Sequence, residues 1–267
     1  MADLNHAMPN ASDSERLVIY EHPLHERVRT FLRLEFLFEQ AGYHAARDSV
    51  WSSRAAISNL LDILAIISRG DIRSDVLKEL EKHATVLGQY QFRQDVDTGR
   101  LNALLETIAS LRQSLGAAGG QLAQELKDNE FLNAVKHRSG IPGGTCEFDL
   151  PDYNFWLNRS HDARMKDFKN WLSSLEPLNS AIRELLWLTR ESAQPTQEKA
   201  VGGMFQKSLE KGVSCQLIRV TMLPGGDCFP EISGSQHRFT IRFLDWQNIG
   251  SRPAQVSDDI GFYLACC

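Results

Sequence analysis

FPEISGSQHRFTIRF, residues 229–243, is the stretch from which the fold can be read. Its second half alternates strictly: Arg238, Thr240 and Arg242 are polar, and Phe239, Ile241 and Phe243 are apolar. Period two marks a strand with one face in a core and one in water. The three apolar residues are predicted to face inward. Arg238 and Arg242 then share the outer face with only Thr240 between them, roughly 13 Å apart at ~3.3 Å per residue. Two guanidinium groups on a rigid strand suit carboxylate binding. The same pattern also describes an ordinary solvent-facing side, so the two readings stand together at this point.

The rest of the β signal lies near that stretch. Met204-Phe205 opens one strand, 215–222 (CQLIRVTM) is a second, and Leu223-Pro224-Gly225-Gly226 is a turn. Residues 259–266 make a last strand, with Ile260, Phe262, Leu264 and Cys266 on one face. Working back, 193–202 contains Pro195 and reads as a linker. Residues 146–150 (CEFDL), after the turn signal IPGG, read as a short isolated strand.

The N-terminal part is helical in pattern. Residues 1–17 are polar and read as a disordered tail. A helix is predicted from Pro23, which suits a first turn, with Leu24, Val28, Phe31, Leu32, Phe36 and Leu37 inward. Ile57, Leu60, Leu61, Leu64 and Ile67 mark a second helix, closed by Arg69-Gly70, a cation and then a glycine that tolerates positive φ. Asp71 or Ser74 caps a third helix. After a break at 95–98, Leu101 to Leu115 form a fourth, ended by the glycine cluster at 116–120. A fifth, carrying Leu122 to Val135, ends in Lys136, His137 and Arg138. Phe168, Trp171, Leu172 and Leu175 mark a sixth, which Pro177 breaks, and Ile182 to Thr189 a seventh. Helices followed by strands indicate an α+β protein, mainly helical toward the N-terminus with a smaller antiparallel β domain toward the C-terminus. The expected division is a helical domain of 18–140 plus 158–193 and a β domain of 141–157 plus 200–267.

The charge balance is acidic, 29 Lys and Arg against 34 Asp and Glu, which argues against a dedicated nucleic-acid binder. Such a binder using the same arginines is the main rival reading, and steep salt dependence would mark it. The five cysteines are odd in number with no signal peptide before them, so a reducing cytosol is expected. Cys266 and Cys267 read as a soft-metal or oxidisable pair, or simply as small hydrophobes ending a strand. No apolar run reaches the ~18 residues of a membrane span. His22 and His25 are metal-ligand candidates without a third partner. Ser233, Ser235, His237 and Asp149 lack any nucleophile-elbow motif. Gly116–Gly120 lacks the Lys-Ser/Thr of a phosphate loop. No cofactor, no metal and no enzymatic activity are expected.

Four segments carry a resemblance: YEHPLHERVRTFLRLEFLFEQ, RGDIRSDVLKELEK, IPGGTCEFDLPDYNFWL, and PEISGSQHRFTIRF with a terminal FYLACC. In order and spacing they resemble the ZapD family of cell-division factors, from Tyr20 to Cys267. The resemblance implies a cytoplasmic, non-enzymatic homodimer recruited to mid-cell. It implies binding to the C-terminal tail of FtsZ, filament cross-linking and bundling, support of the Z-ring and lowered FtsZ GTPase activity. It further implies a basic pocket formed by Arg69, Arg238 and Arg242, with Arg33 in the pocket or the dimer contact. Two positions that are positive in some relatives are Glu130 and Asn154 here. By this reading Arg69, at a helix end, converges on the strand arginines.

Overall fold

The computed structural model describes residues 17–93, 96–117, 123–209 and 215–267. The expected tail over 1–16, Asp95 in the predicted break, the 118–120 part of the glycine cluster and Leu122 lie outside the described residues. The chain forms two compact units. One is Thr30–Leu186; the other joins the described residues up to Arg29 with Trp187–Cys267. The α+β class is as predicted, with helices through the first unit and antiparallel sheets in the second.

The first described element is a strand, β1 (Val18–Pro23), rather than the start of a helix. Proline lacks an N–H, so it is tolerated at the end of an edge strand, which is where Pro23 sits. Helix α1 (Glu26–Ala45) follows, and in it Phe31, Leu34, Phe38 and Ala41 are buried. Phe36, expected in the core, is 56% exposed. The buried positions run along i, i+3, i+7 and i+10, and Phe36 falls beside that line.

Helix α2 (Val50–Arg69) starts at Ser49, whose side chain accepts from the Ser52 N–H at 3.4 Å. Ile57, Leu60, Leu61, Leu64 and Ile67 are buried as predicted. By length and composition alone this helix could cross a membrane, but half of its most apolar window is buried within the protein. That makes it a core helix of its unit. Gly70 follows with φ −157, extended backbone rather than the left-handed turn expected.

Asp71 caps α3 (Ile72–Gly88), accepting from the Ser74 N–H at 3.1 Å. A 3-10 turn, Gln89–Phe92, leads on toward α4 (Thr98–Ala117). Helices α3 and α4 pack together, and Val76 and Leu80 of α3 and Leu101, Ile108 and Leu115 of α4 are buried. Arg73 closes the end of α4 by donating to the carbonyls of Leu115 and Gly116, each at 2.9 Å. The short α5 (Gln124–Lys127) and α6 (Glu130–Ser139) come next.

Residues 141–150 are a succession of turns and not the predicted strand. Five alternating residues with no strand to pair against cannot satisfy their backbone groups as a ladder. Here Asp149 ion-pairs with Arg138 at 3.6 Å and accepts from the Cys146 thiol at 3.4 Å, and Phe148 is 86% exposed. Pro151 then sits at the first turn of α7 (Pro151–Leu157), which buries Tyr153 and Trp156. Helices α8 (His161–Ser173) and α9 (Glu176–Glu191) complete the helical series.

The segment expected as a linker contains β2 (Thr196–Ala200). The chain continues through β3 (Met204–Ser208), β4 (Leu217–Met222), β5 (Cys228–Gly234), β6 (Arg238–Asp245), β7 (Ala254–Gln255) and β8 (Ile260–Cys266). One sheet has the order β1-β4-β8-β2; the other has β3-β6-β5, with β7 also on β6. Gly225, with φ +82, makes the turn between β4 and β5. The two sheets share a core of Ile218, Val220, Phe262 and Leu264 from one and Phe239, Ile241 and Phe243 from the other. The Phe243 and Phe262 rings lie 5.2 Å apart. Strand β6 is thus the central strand of its sheet, flanked by β3 and β5 and pinned by three fully buried side chains.

Candidate functional site

The predicted alternation is realised in β6. Phe239, Ile241 and Phe243 are buried, while Arg238 and Arg242 are exposed. The register fixes what stands beside each arginine. Arg238 lies opposite Ser208 of β3, and Arg242 lies between Met204 of β3 and Glu231 of β5. Arg242 ion-pairs with Glu231, both side chains being about half exposed. Arg238 has no ion pair among the described residues. It lines an open polar recess of about 350 Å³ with Gln206, Ser233, Ser235 and Thr240. Two hydroxyl residues from the β5–β6 hairpin, an amide and a guanidinium can together hold a carboxylate.

Arg33 and Arg69 are brought together in the helical unit. They line a groove of about 290 Å³ between α1 and α2 with Phe36, Leu37, Asp62, Ala65 and Ile66. Both arginines are exposed, and neither has an ion pair among the described residues. The groove combines apolar Leu37, Ala65 and Ile66 with the exposed ring of Phe36, two cations and the Asp62 carboxylate. Phe36 and Asp62 were missed as site residues. The signals for them were Phe36 three residues after Arg33 and Asp62 seven before Arg69, spacings that share a helix face.

A third charge cluster is structural. Glu21 of β1 accepts from Arg190 at 2.9 Å through each of two oxygens, and from Arg219 of β4 at 2.9 Å. Burial pushes the Glu21 carboxyl upward, but the hydrogen bonds and charges of Arg190 and Arg219 outweigh it and hold the group below its ordinary value.

The weaker candidates fall into ordinary roles. His22 lies in β1, where burial first and the Arg29 charge second push its pKa down. His25 faces Gln236, with 3.3 Å between Nδ1 and Nε2. The Ser235 hydroxyl accepts from the His237 backbone N–H at 3.4 Å. Among the described residues no group of three or more His, Cys, Asp or Glu side chains is placed to hold a metal ion.

Fold and site define an α+β protein with a helical unit and a two-sheet unit, each displaying exposed arginines on rigid elements. A protein-family model for ZapD, described as a cell division protein, matches residues 32–242. The Cell division protein ZapD of Methylococcus capsulatus is 41% identical over 250 residues, covering 94% of this chain and 98% of that one. Those of Aromatoleum aromaticum and Nitrosomonas europaea are 33% and 35% identical, covering 95% and 94% of this chain and 98% and 95% of theirs. The chain belongs to the ZapD family, and its role is in cell division.

Proposed function

We propose that this chain is a non-enzymatic, cytoplasmic division factor that binds the C-terminal tail of FtsZ and, as a homodimer, cross-links and bundles FtsZ filaments at mid-cell. The observation that carries this reading is the outer face of β6. Arg238 is exposed with no acidic partner among the described residues, and Arg242 is held only by an exposed ion pair. Exposed pairs of that kind contribute about 0–1 kcal/mol, so an incoming carboxylate competes with Glu231 readily. Arg33 and Arg69, flanking the Phe36 groove, suit the other need of a tail peptide, an apolar anchor beside a carboxylate. In this proposal Arg69, Arg238 and Arg242 are tail-binding residues, each on its own unit's surface, and Arg33 supports the groove.

A flexible tail loses entropy on docking, so a single contact is weak. Two sites on one dimer raise the strength by avidity along a polymer. Bundled filaments exchange subunits slowly, and FtsZ GTP hydrolysis falls as a consequence. The first test is fluorescence anisotropy with a labelled FtsZ tail peptide. Arg238→Glu/Arg242→Glu is expected to weaken binding at least tenfold, about 1.4 kcal/mol. Glu231→Gln is expected to tighten it by up to about fivefold, the value of a freed surface pair. Equal peptide binding by wild type and a folded double variant would overturn the assignment. Comparable binding to a DNA duplex that falls steeply with salt would favour the nucleic-acid reading instead.

A further inference from the structure

The end of β8 and the start of β4 meet in a way the alternation of residues does not anticipate. Ile218 and Cys266 stand opposite each other in the register. Just beyond them, the N–H groups of both Gln216 and Leu217 donate to the Cys267 carbonyl, and the Cys267 N–H donates to Leu217. Two residues therefore oppose one, which is a β-bulge. Strict alternation from the inward Ile218 would turn Cys215 outward. The bulge adds one residue and returns it inward, where Cys215 is 4% exposed within the core that also holds Ile218, Phe239 and Phe262. Cys266 packs against the same core from β8. Cys215 thus becomes the diagonal neighbour of Cys266 on one face of one sheet, its thiol donating to the Leu217 carbonyl at 3.8 Å, and the two sulfurs are close enough to shift each other's titration. Cys267 turns to the opposite face, where its thiol donates to the Arg190 carbonyl at 3.7 Å.

We propose that Cys215 and Cys266 form a redox modification site, which a hydroperoxide converts to an intramolecular disulfide. The roles of the two sulfurs follow from their surroundings. The side chain of Cys215 lowers the Cys266 pKa to about 7; burial acts upward, Lys207 lowers it further and Glu198 opposes. The side chain of Cys266, and then burial, push Cys215 up. Cys266, partly exposed where Cys215 is buried, is therefore the attacking thiolate and Cys215 the resolving thiol. The Cys266 thiolate attacks the terminal peroxide oxygen. The O–O bond breaks, giving a sulfenic acid and an alkoxide, or hydroxide from hydrogen peroxide, which takes up a proton. The Cys215 sulfur then displaces hydroxide from the Cys266 sulfur, and its own proton leaves with that hydroxide as water. Two thiols and one hydroperoxide become one disulfide, one alcohol (water from hydrogen peroxide) and one water. The sulfurs close to bonding distance by a local shift at the bulge, where one carbonyl already serves two N–H groups and the ladder is irregular. The bond would tie the start of β4 to the end of β8, beneath the strand that carries Arg238 and Arg242.

The test uses the full chain, hydrogen peroxide as the probe, alkylation of remaining thiols and non-reducing peptide mapping. Free thiols are expected to fall from five to three, with one Cys215–Cys266 linked peptide that dithiothreitol releases. Cys215→Ser is expected to abolish the link and leave a Cys266 sulfenic acid that dimedone traps. Because Cys215 is a core residue, Cys146→Ser/Cys228→Ser/Cys267→Ser, which keeps the pair intact, is tested alongside and is expected to form the link at the wild-type rate. A Cys266–Cys267 link, links between chains only, or retention of all five thiols while added glutathione is oxidised would overturn the proposal.

Discussion

Glu21 shows how a single carboxylate ties distant parts of one unit together. It joins β1 to β4 through Arg219 and to the end of α9 through Arg190, with its side chain only 19% exposed. Because its pKa is depressed in the folded protein, its contribution is fully present above the ordinary Glu value of 4.5 and is lost as pH falls through the lower folded value. Glu21→Gln is expected to cost about 2 kcal/mol at neutral pH, since hydrogen bonds to charged groups contribute about 1.5–3 kcal/mol. The difference from wild type should shrink toward zero in acid, where the native carboxyl is also neutral. Urea unfolding at several pH values checks both the size and the direction. At this scale the sequence was partly legible. Alternation exposed Arg238 and Arg242, but not the Glu231 beside Arg242, because strand register depends on the hairpin and not on either strand alone. Phe36 was misassigned for a related reason. A stripe as broad as that of α1 does not say which edge faces water.

Strand β6 is the element on which the proposed site depends. Its inner face is fully buried while its outer face is solvated, so packing beneath the strand holds the guanidinium groups above it. Ile241 is 0% exposed, and Ile241→Ala is expected to cost about 2–5 kcal/mol, as for other buried aliphatic truncations. Denaturant unfolding should show a lower midpoint with an unchanged slope; a cost below about 1 kcal/mol would mean that the two sheets do not share the core described. Long periodic elements such as α2 and β6 were legible because their own side chains specify them. Residues 146–150 were not, since five alternating residues make a strand only when a partner accepts them. The converse error was β1, read as helix from Pro23, whose partner Met222 lies some two hundred residues away from Val18. Likewise β2, read as a linker, is defined by its pairing with β8.

For the whole molecule, the order of helices before strands made the α+β class readable from the chain alone, whereas the assignment of the N-terminal strand to the second unit needed long-range pairing. The proposed bundling also belongs to this scale, because a single arginine patch binds a tail and only a molecule with two such patches bridges filaments. The most direct measurement is co-sedimentation with FtsZ polymers, full-length and lacking the C-terminal tail, comparing wild type with Arg238→Glu/Arg242→Glu at equal helicity and oligomeric state. The account predicts that wild type pellets with full-length polymers only and that the charge-reversed variant stays in the supernatant. Undiminished pelleting of the folded variant, or equal pelleting with tail-less polymers, would contradict it.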